Sequence, residues 1–221
     1  MTLVVLDYGI GNLRSAEKAF EQLGVPVRRV ADPSDLPARI RGVVLPGVGA
    51  FGAAARALRE SGLERVVLGA LDARVPFLGI CVGLQLLFEG SEEDPGVPGL
   101  GLLAGRVVRL PEGVRHPQMQ WNLVTVPEGR RSALLASGAP SWFYFVHSFV
   151  AEPVGGTASE VVTGVCDYGG PMTALVEHDG LAATQFHPEK SGRAGLEVLR
   201  RFSRLCGYEA VLGEGGRREA S

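Results

Sequence analysis

Apolar residues enter the first half of this chain in short runs, separated by stretches with helical spacing. Leu3–Asp7, Val27–Val30, Gly42–Leu45 and Val75–Ile80 are such runs. Mostly apolar strands of that length belong in a sheet covered on both faces. Between the first two, Asn12 precedes Leu13, Ala16, Ala19, Phe20 and Leu23, one face of a helix opened by an N-cap residue. Ala53–Ser61 and Leu63–Ala73 carry the same kind of pattern. Strand alternating with helix predicts an α/β fold with a mostly parallel central sheet and right-handed crossovers.

After Gly90 the pattern changes. Glu92–Gly99 reads as a loop, and Arg106–Leu110, Leu123–Val126, Trp142–Phe149 and Val161–Asp167 read as further strands. Thr173–Glu177 and Leu181–Phe186 flank Asp179-Gly180, a hairpin turn signal that makes this pair antiparallel. Gly195–Leu205 closes the pattern as a helix. One domain is expected over residues 1–207, with residues 208–221, glycine-rich and charged from Gly213, as a disordered tail.

Composition narrows the choice of function. At 221 residues, 46% hydrophobic and 21% charged, the chain can bury a core without disulfides. A formal net charge of −2 offers no electrostatic case for nucleic acid or an anionic membrane. The N-terminus lacks a basic leader, and no apolar run approaches the roughly 18 residues of a membrane span. Cys81, Cys166 and Cys206 form no C-x-x-C pair, which suits a reducing cytoplasm. The four histidines show no metal-ligand spacing, so neither a metal nor another cofactor is called for.

Two distant segments carry the chemistry. Gly79-Ile80-Cys81-Val82-Gly83 follows an apolar strand and precedes Leu84-Gln85-Leu86-Leu87-Phe88, which reads as helix. This is a strand–turn–helix elbow with cysteine in the nucleophile position. The flanking glycines permit a strained turn that would lift Cys81 into solvent, and the helix N-terminus favours a thiolate. His187-Pro188-Glu189 supplies the rest. Pro188 biases His187 toward an extended backbone, where residues two apart face the same side. Glu189 can then orient one imidazole nitrogen while the other faces the thiol, giving a nucleophile, base and orienter. Cys166 and Cys206 read as small buried hydrophobes. Pro46-Gly47-Val48-Gly49, after the third strand, is either a plain turn or a loop that presents backbone N–H groups to an oxyanion beside the N–H of Val82. Gln85, one turn beyond Cys81, needs a polar partner, either a substrate amide or a backbone group.

The elbow with its Leu-Gln-Leu-Leu continuation, together with His187-Pro-Glu189, resembles the class I, triad-type glutamine amidotransferases from Met1 to about Gly207. Asp7-Tyr-Gly-Ile-Gly-Asn12, Pro46-Gly-Val-Gly-Ala-Phe-Gly52, Met119-Gln-Trp-Asn122 and Tyr144-Phe-Val-His-Ser148 are similar to the branch of that family that serves histidine biosynthesis. The resemblance implies a flavodoxin-like domain and a heterodimer with a (β/α)8-barrel cyclase. Glutamine would be hydrolysed here, and the ammonia would react in the barrel with a phosphoribulosyl ribonucleotide. The products would be imidazole glycerol phosphate and an aminoimidazole carboxamide ribotide.

By the same resemblance, Cys81, His187 and Glu189 are the triad, and Gly47, Val48 and Gly49 form the oxyanion loop. Gln85, Glu93, Ser148 and Phe149 would meet the substrate, and Trp121, Asn122, Tyr144 and Lys190 would face the barrel. The family usually has glycine where this chain has Gln120, and commonly tyrosine at Phe149. Read from their own surroundings, Trp121 and Tyr144 would be core aromatics, Lys190 a solvated cation and His147 a structural histidine. Two other functions stay open. One is a cysteine peptidase or γ-glutamyl hydrolase on the same scaffold. The other is a non-catalytic module, which loss of a triad member would favour; none is lost.

Overall fold

The computed structural model describes residues 2–136 and 140–210. Five strands form the parallel part of the main sheet: β1 (Thr2–Leu6), β2 (Val27–Val30), β3 (Ile40–Gly47), β4 (Phe77–Cys81) and β11 (Leu181–Thr184). Two more, β9 (Val162–Asp167) and β10 (Pro171–His178), extend it antiparallel beyond β11, giving the order β2-β1-β3-β4-β11-β10-β9. Every residue of β4 and β11 is buried, as expected for strands covered on both faces. The helices are α1 (Leu13–Gln22), α2 (Phe51–Glu60), α3 (Glu64–Asp72), α4 (Val82–Gln85), α5 (Gly155–Val161) and α6 (Gly192–Leu205). Phe20 of α1 meets Phe202 of α6, ring centroids 6.3 Å apart, so these two helices share a layer. Asp179 and Gly180 both take positive φ at the β10–β11 turn, the geometry that a two-residue hairpin favours.

Two small antiparallel pairs lie beside the main sheet: β5 (Gly105–Arg109) with β8 (Phe149–Pro153), and β6 (Gln118–Val124) with β7 (Ser141–His147). The apolar run Trp142–Phe149 is therefore two strands, not one. It breaks at Ser148, whose carbonyl accepts the Leu110 N–H, because β7 and β8 pair with different partners. Strand β6 starts at Gln118, upstream of the apolar stretch Leu123–Val126 that signals it, since its first half holds a buried polar residue, Gln118, followed by three exposed ones.

Three other expectations need correction. The helix after the elbow is a single turn, Val82–Gln85, because Leu100, Leu102 and Leu103 donate to the carbonyls of Leu86 and Leu87 and draw the chain away. Asn12 occupies the N-cap of α1, but its side chain makes no capping hydrogen bond. Residues 208–210 are held on the domain. Arg41 hydrogen-bonds the Gly207 carbonyl and stacks 4.9 Å from the Tyr208 ring centroid, and Ala210 is buried. Residues 211–221, including the expected tail from Gly213, lie outside the described part.

The direction of connection reverses between β1 and β3, the point at which open α/β sheets form a crevice beyond their strand ends. Tyr8, Gly47, Cys81 and His187 all lie at or just beyond the carboxyl ends of β1, β3, β4 and β11.

Candidate active site

The elbow is as tight as its glycines suggest. Cys81 sits at φ 55°, ψ −106°, a region that a non-glycine residue enters only when its surroundings enforce it. A Cβ on Gly79 would stand 2.7 Å from the Gly83 carbonyl oxygen, and one on Gly83 would overlap the Leu45 carbonyl oxygen. Glycine at both positions lets the turn close and the helix settle onto β3. Cys81 is not lifted into bulk solvent. It is 3% exposed and opens onto a cavity of about 250 Å3 that His187 also lines.

His187 has an extended backbone at φ −98°, ψ 96°, and its Nδ1 lies 2.8 Å from Glu189 Oε1. Pro188–Lys190 forms a 3-10 turn, so Glu189 meets the ring by folding back rather than by the strand alternation expected. Both side chains are almost fully buried, at 1% and 2% exposure. Because the carboxylate can only accept, Nδ1 carries the proton; Nε2 is buried without a regular hydrogen-bond partner, on a ring that lines the same cavity as Cys81. Burial alone would lower the pKa of His187, but hydrogen bonding and charge from Cys81 and Glu189 outweigh it and raise it.

Backbone contacts hold this segment. His187 N–H donates to Tyr144 O at 3.0 Å. The Ser191 hydroxyl donates to His187 O at 2.6 Å and accepts the Tyr144 N–H at 2.9 Å. Phe186, stacked 4.1 Å from Phe143, anchors the position before the histidine.

The cavity brings together most of the expected substrate and oxyanion residues: Val48, Gly49, Val82, Gln85, Glu93, Ser148 and Phe149. Gly47 lies directly behind, paired with Cys81 across β3 and β4. Gln85 finds a backbone partner: Nε2 donates to Phe149 O at 2.9 Å and to Gln185 Oε1 at 3.2 Å. Phe149 O also takes the Nδ1–H of His147 at 2.9 Å, so that carbonyl is already engaged twice. Glu93 accepts the Phe51 N–H through Oε2 at 2.7 Å, which fixes the start of α2 at the cavity wall.

Several contributors were not singled out from the sequence. The Gln185 amide lies 3.5 Å from Cys81 Sγ and is fully buried. His147, read as a satisfied structural histidine, is satisfied at Nδ1 only; Nε2 is buried and unpartnered beside the cavity. Burial and the nearby His187 push its pKa down to about 4, against a raising hydrogen bond from Phe149, so it is neutral near pH 7. The cross-strand neighbour of His147, Gln118, is buried with neither amide atom hydrogen-bonded.

Trp121 and Tyr144 pair directly across β6 and β7, 6.3 Å between centroids. They lie on an outward face with Met119 and Trp142, which are 62% and 57% exposed. Neither aromatic is a core residue, and alternation along Ser141–His147 could have added Trp142 to the set. Lys190 Nζ stands 6.0 Å above the Tyr144 ring. Asn122 points to the opposite side and is engaged within the chain, donating to Asp167 O at 2.8 Å. Gln120 is exposed on that side, where its side chain is accommodated.

A strained cysteine elbow, a buried His–Glu pair and a cavity of about 250 Å3 thus come together at the carboxyl ends of the parallel strands. The family model for class-I glutamine amidotransferases matches residues 4–205, and the chain belongs to that family. Among its relatives, a protein of Methanothermobacter thermautotrophicus named imidazole glycerol phosphate synthase subunit HisH is 49% identical over 200 residues, covering 90% of this chain and 96% of that protein. The protein of the same name from Moorella thermoacetica is 46% identical over 213 residues, 96% of this chain and 98% of that one. Two solved structures show the shared fold. A glutamine amidotransferase matches with TM-score 0.72 at 24% identity, covering 94% of this chain and all 100% of its own. PurLQS from Thermotoga maritima matches with TM-score 0.73 at 20% identity, covering 92% of this chain and 97% of that one.

Proposed function

We propose that this chain is the glutaminase subunit of an imidazole glycerol phosphate synthase, with Cys81, His187 and Glu189 as its catalytic triad. The observation that carries the chemistry is the buried His187–Glu189 contact at 2.8 Å beside Cys81. Cys81 sulfur attacks the side-chain amide carbon of glutamine as His187 Nε2 takes the thiol proton. Backbone N–H groups of Val82 and the Gly47–Gly49 loop hold the oxyanion. Protonated His187 returns its proton to the departing nitrogen, which leaves as ammonia. Water, activated by the same nitrogen, then hydrolyses the thioester to glutamate and regenerates the thiol. Gln85, Glu93, Ser148 and Phe149 surround the amino-acid end of the substrate. A contact from Gln85 would use Oε1, since Nε2 is engaged.

Relatives at 42–49% identity are named as synthase subunits, and the exposed aromatic face of β6–β7 supplies a surface for a partner. The partner assigned is the (β/α)8-barrel cyclase, which receives the ammonia and meets Trp121, Tyr144 and Lys190. A cavity of about 250 Å3 lies below the range of roughly 300–1,000 Å3 usual for drug-sized ligands, which favours a free amino acid over a peptide. No described helix is long and apolar enough to cross a membrane, and free buried thiols fit a reducing cytoplasm.

The test is glutamine hydrolysis by the purified chain, alone and with the barrel subunit and its nucleotide ligand. One oxyanion donor gained is worth ~3 kcal/mol, or about two orders of magnitude in turnover. A rise of at least about tenfold is therefore expected, with Lys190→Ala lowering the stimulated rate. Full activity of the isolated chain, unmoved by the partner, would favour a free-standing hydrolase.

A further inference from the structure

Tyr8 has no part in the chemistry above, yet it touches the loop on which that chemistry depends. It lies just beyond β1, in a segment where Gly9 and Gly11 take φ of 81° and 143°. Its hydroxyl donates to the Pro46 carbonyl at 2.9 Å, in a buried contact. The same oxygen also lies over Gly47. A side-chain carbon there would stand 2.7 Å from it, 2.9 Å from the Val82 Cβ and 3.0 Å from the Gly83 nitrogen. Gly47 is the residue paired with Cys81, so the phenol, the loop and the elbow are packed as one stack. Burial and the charge of a Cys81 thiolate both raise the pKa of Tyr8, which keeps it a neutral donor.

The peptide between Pro46 and Gly47 is planar, so its carbonyl and N–H point in opposite directions. Fixing Pro46 O therefore fixes the Gly47 N–H as well. We propose that Tyr8 is a positioning residue that clamps the Pro46–Gly47 peptide and so confines rotation of the oxyanion loop to the two peptides flanking Val48. This inference rests on the reading of Gly47–Gly49 as that loop. Without the hydroxyl, the buried carbonyl has lost its partner, and this last peptide of β3 is held only by its pairing with β4. The donors then spend much of their time off line, which slows formation of the oxyanion more than it weakens binding of glutamine.

Tyr8→Phe removes only the hydroxyl and keeps the ring in its place. Measured in the complex with the barrel subunit, kcat for glutamine is expected to fall about tenfold with KM within about twofold, the signature of lost transition-state stabilisation. Alkylation of Cys81 by iodoacetamide forms no oxyanion, so its rate should match the parent. An unchanged kcat would overturn the proposal. So would a parallel fall in alkylation rate, because Tyr8 would then act on the thiol or the fold rather than on the loop. Absence of glutaminase activity in the parent complex would strike the underlying glutaminase reading, and this role with it.

Discussion

Replacing Glu189 by glutamine probes the part of the site that is most completely enclosed. Oε1 accepts the Nδ1–H of His187 at 2.8 Å, and Oε2 is buried with no partner at all. Glutamine keeps the shape but must place an NH2 at one of the two positions. Turned away from the ring, that NH2 becomes a buried unpaired donor, which costs about 1–3 kcal/mol. Turned toward the ring, it forces the proton from Nδ1 to Nε2, and the base can no longer accept from Cys81. Even in the better orientation, a charge-assisted bond of about 1.5–3 kcal/mol becomes a neutral one of about 0.5–1.5 kcal/mol. Together these place the loss of kcat at about 10- to 1,000-fold, smaller than the loss from removing Cys81. The pH profile separates this from simple misfolding. Glu189 is one of the groups that raise the pKa of His187, so its charge keeps the shared Cys81–His187 proton in place to higher pH. In Glu189→Gln the alkaline limb of kcat/KM should therefore move to lower pH. An unaltered limb, or parental turnover, would refute the orienting role.

Three further outcomes follow from contacts around the triad. Ser191→Ala leaves the buried Tyr144 N–H and His187 carbonyl without their shared hydroxyl. It should destabilise by about 1–3 kcal/mol, read as a lower melting temperature, with kcat reduced as His187 loosens; an unchanged melting temperature would contradict this. His147 titrates at about 4 when folded against 6.5 when free. The unfolded chain thus binds the extra proton first, and stability held above pH 6.5 is lost as pH falls toward 4, by about 3 kcal/mol. Urea unfolding of His147→Asn should show a shallower acid loss; the same slope as the parent would count against a buried neutral histidine. Gly83→Ala should not yield active protein, since the added carbon meets the Leu45 carbonyl; normal turnover would show that the elbow is less constrained than its geometry implies.

The parallel half of the sheet and the turn at Cys81 were legible because they depend on local signals, whereas the His187–Glu189 contact forms through a 3-10 turn and not through the strand alternation expected. Apolar runs mark β1 to β4, and glycines at 79 and 83 mark a turn that only they permit. What was hidden depends on contacts between distant segments. The single-turn length of α4 follows from capture by Leu100–Leu103, which no helical pattern reveals. Helix α5 opens on Gly155-Gly156, residues that argue against a helix until the neighbouring strands hold it. Gln85 could not be assigned between substrate and backbone because the Phe149 carbonyl reaches it across 64 positions of sequence. The roles of Ser191 and Gln185 arise in the same way, from β7 and β4 brought against the segment after β11. Asn122 and Trp121 are adjacent, yet strand alternation sends one toward Asp167 and leaves the other on the outer face.

The most direct test of Cys81 as the nucleophile for a glutamine amide is covalent capture with a glutamine analogue carrying an electrophilic carbon at the amide position. All three cysteines are buried, but only Cys81 opens onto the cavity, whereas burial pushes the thiols of Cys166 and Cys206 up to about 12. Mass mapping should find one adduct, on Cys81, and excess glutamine should prevent it. An adduct on Cys166 or Cys206 with Cys81 untouched, or labelling that glutamine fails to block, would contradict the assignment.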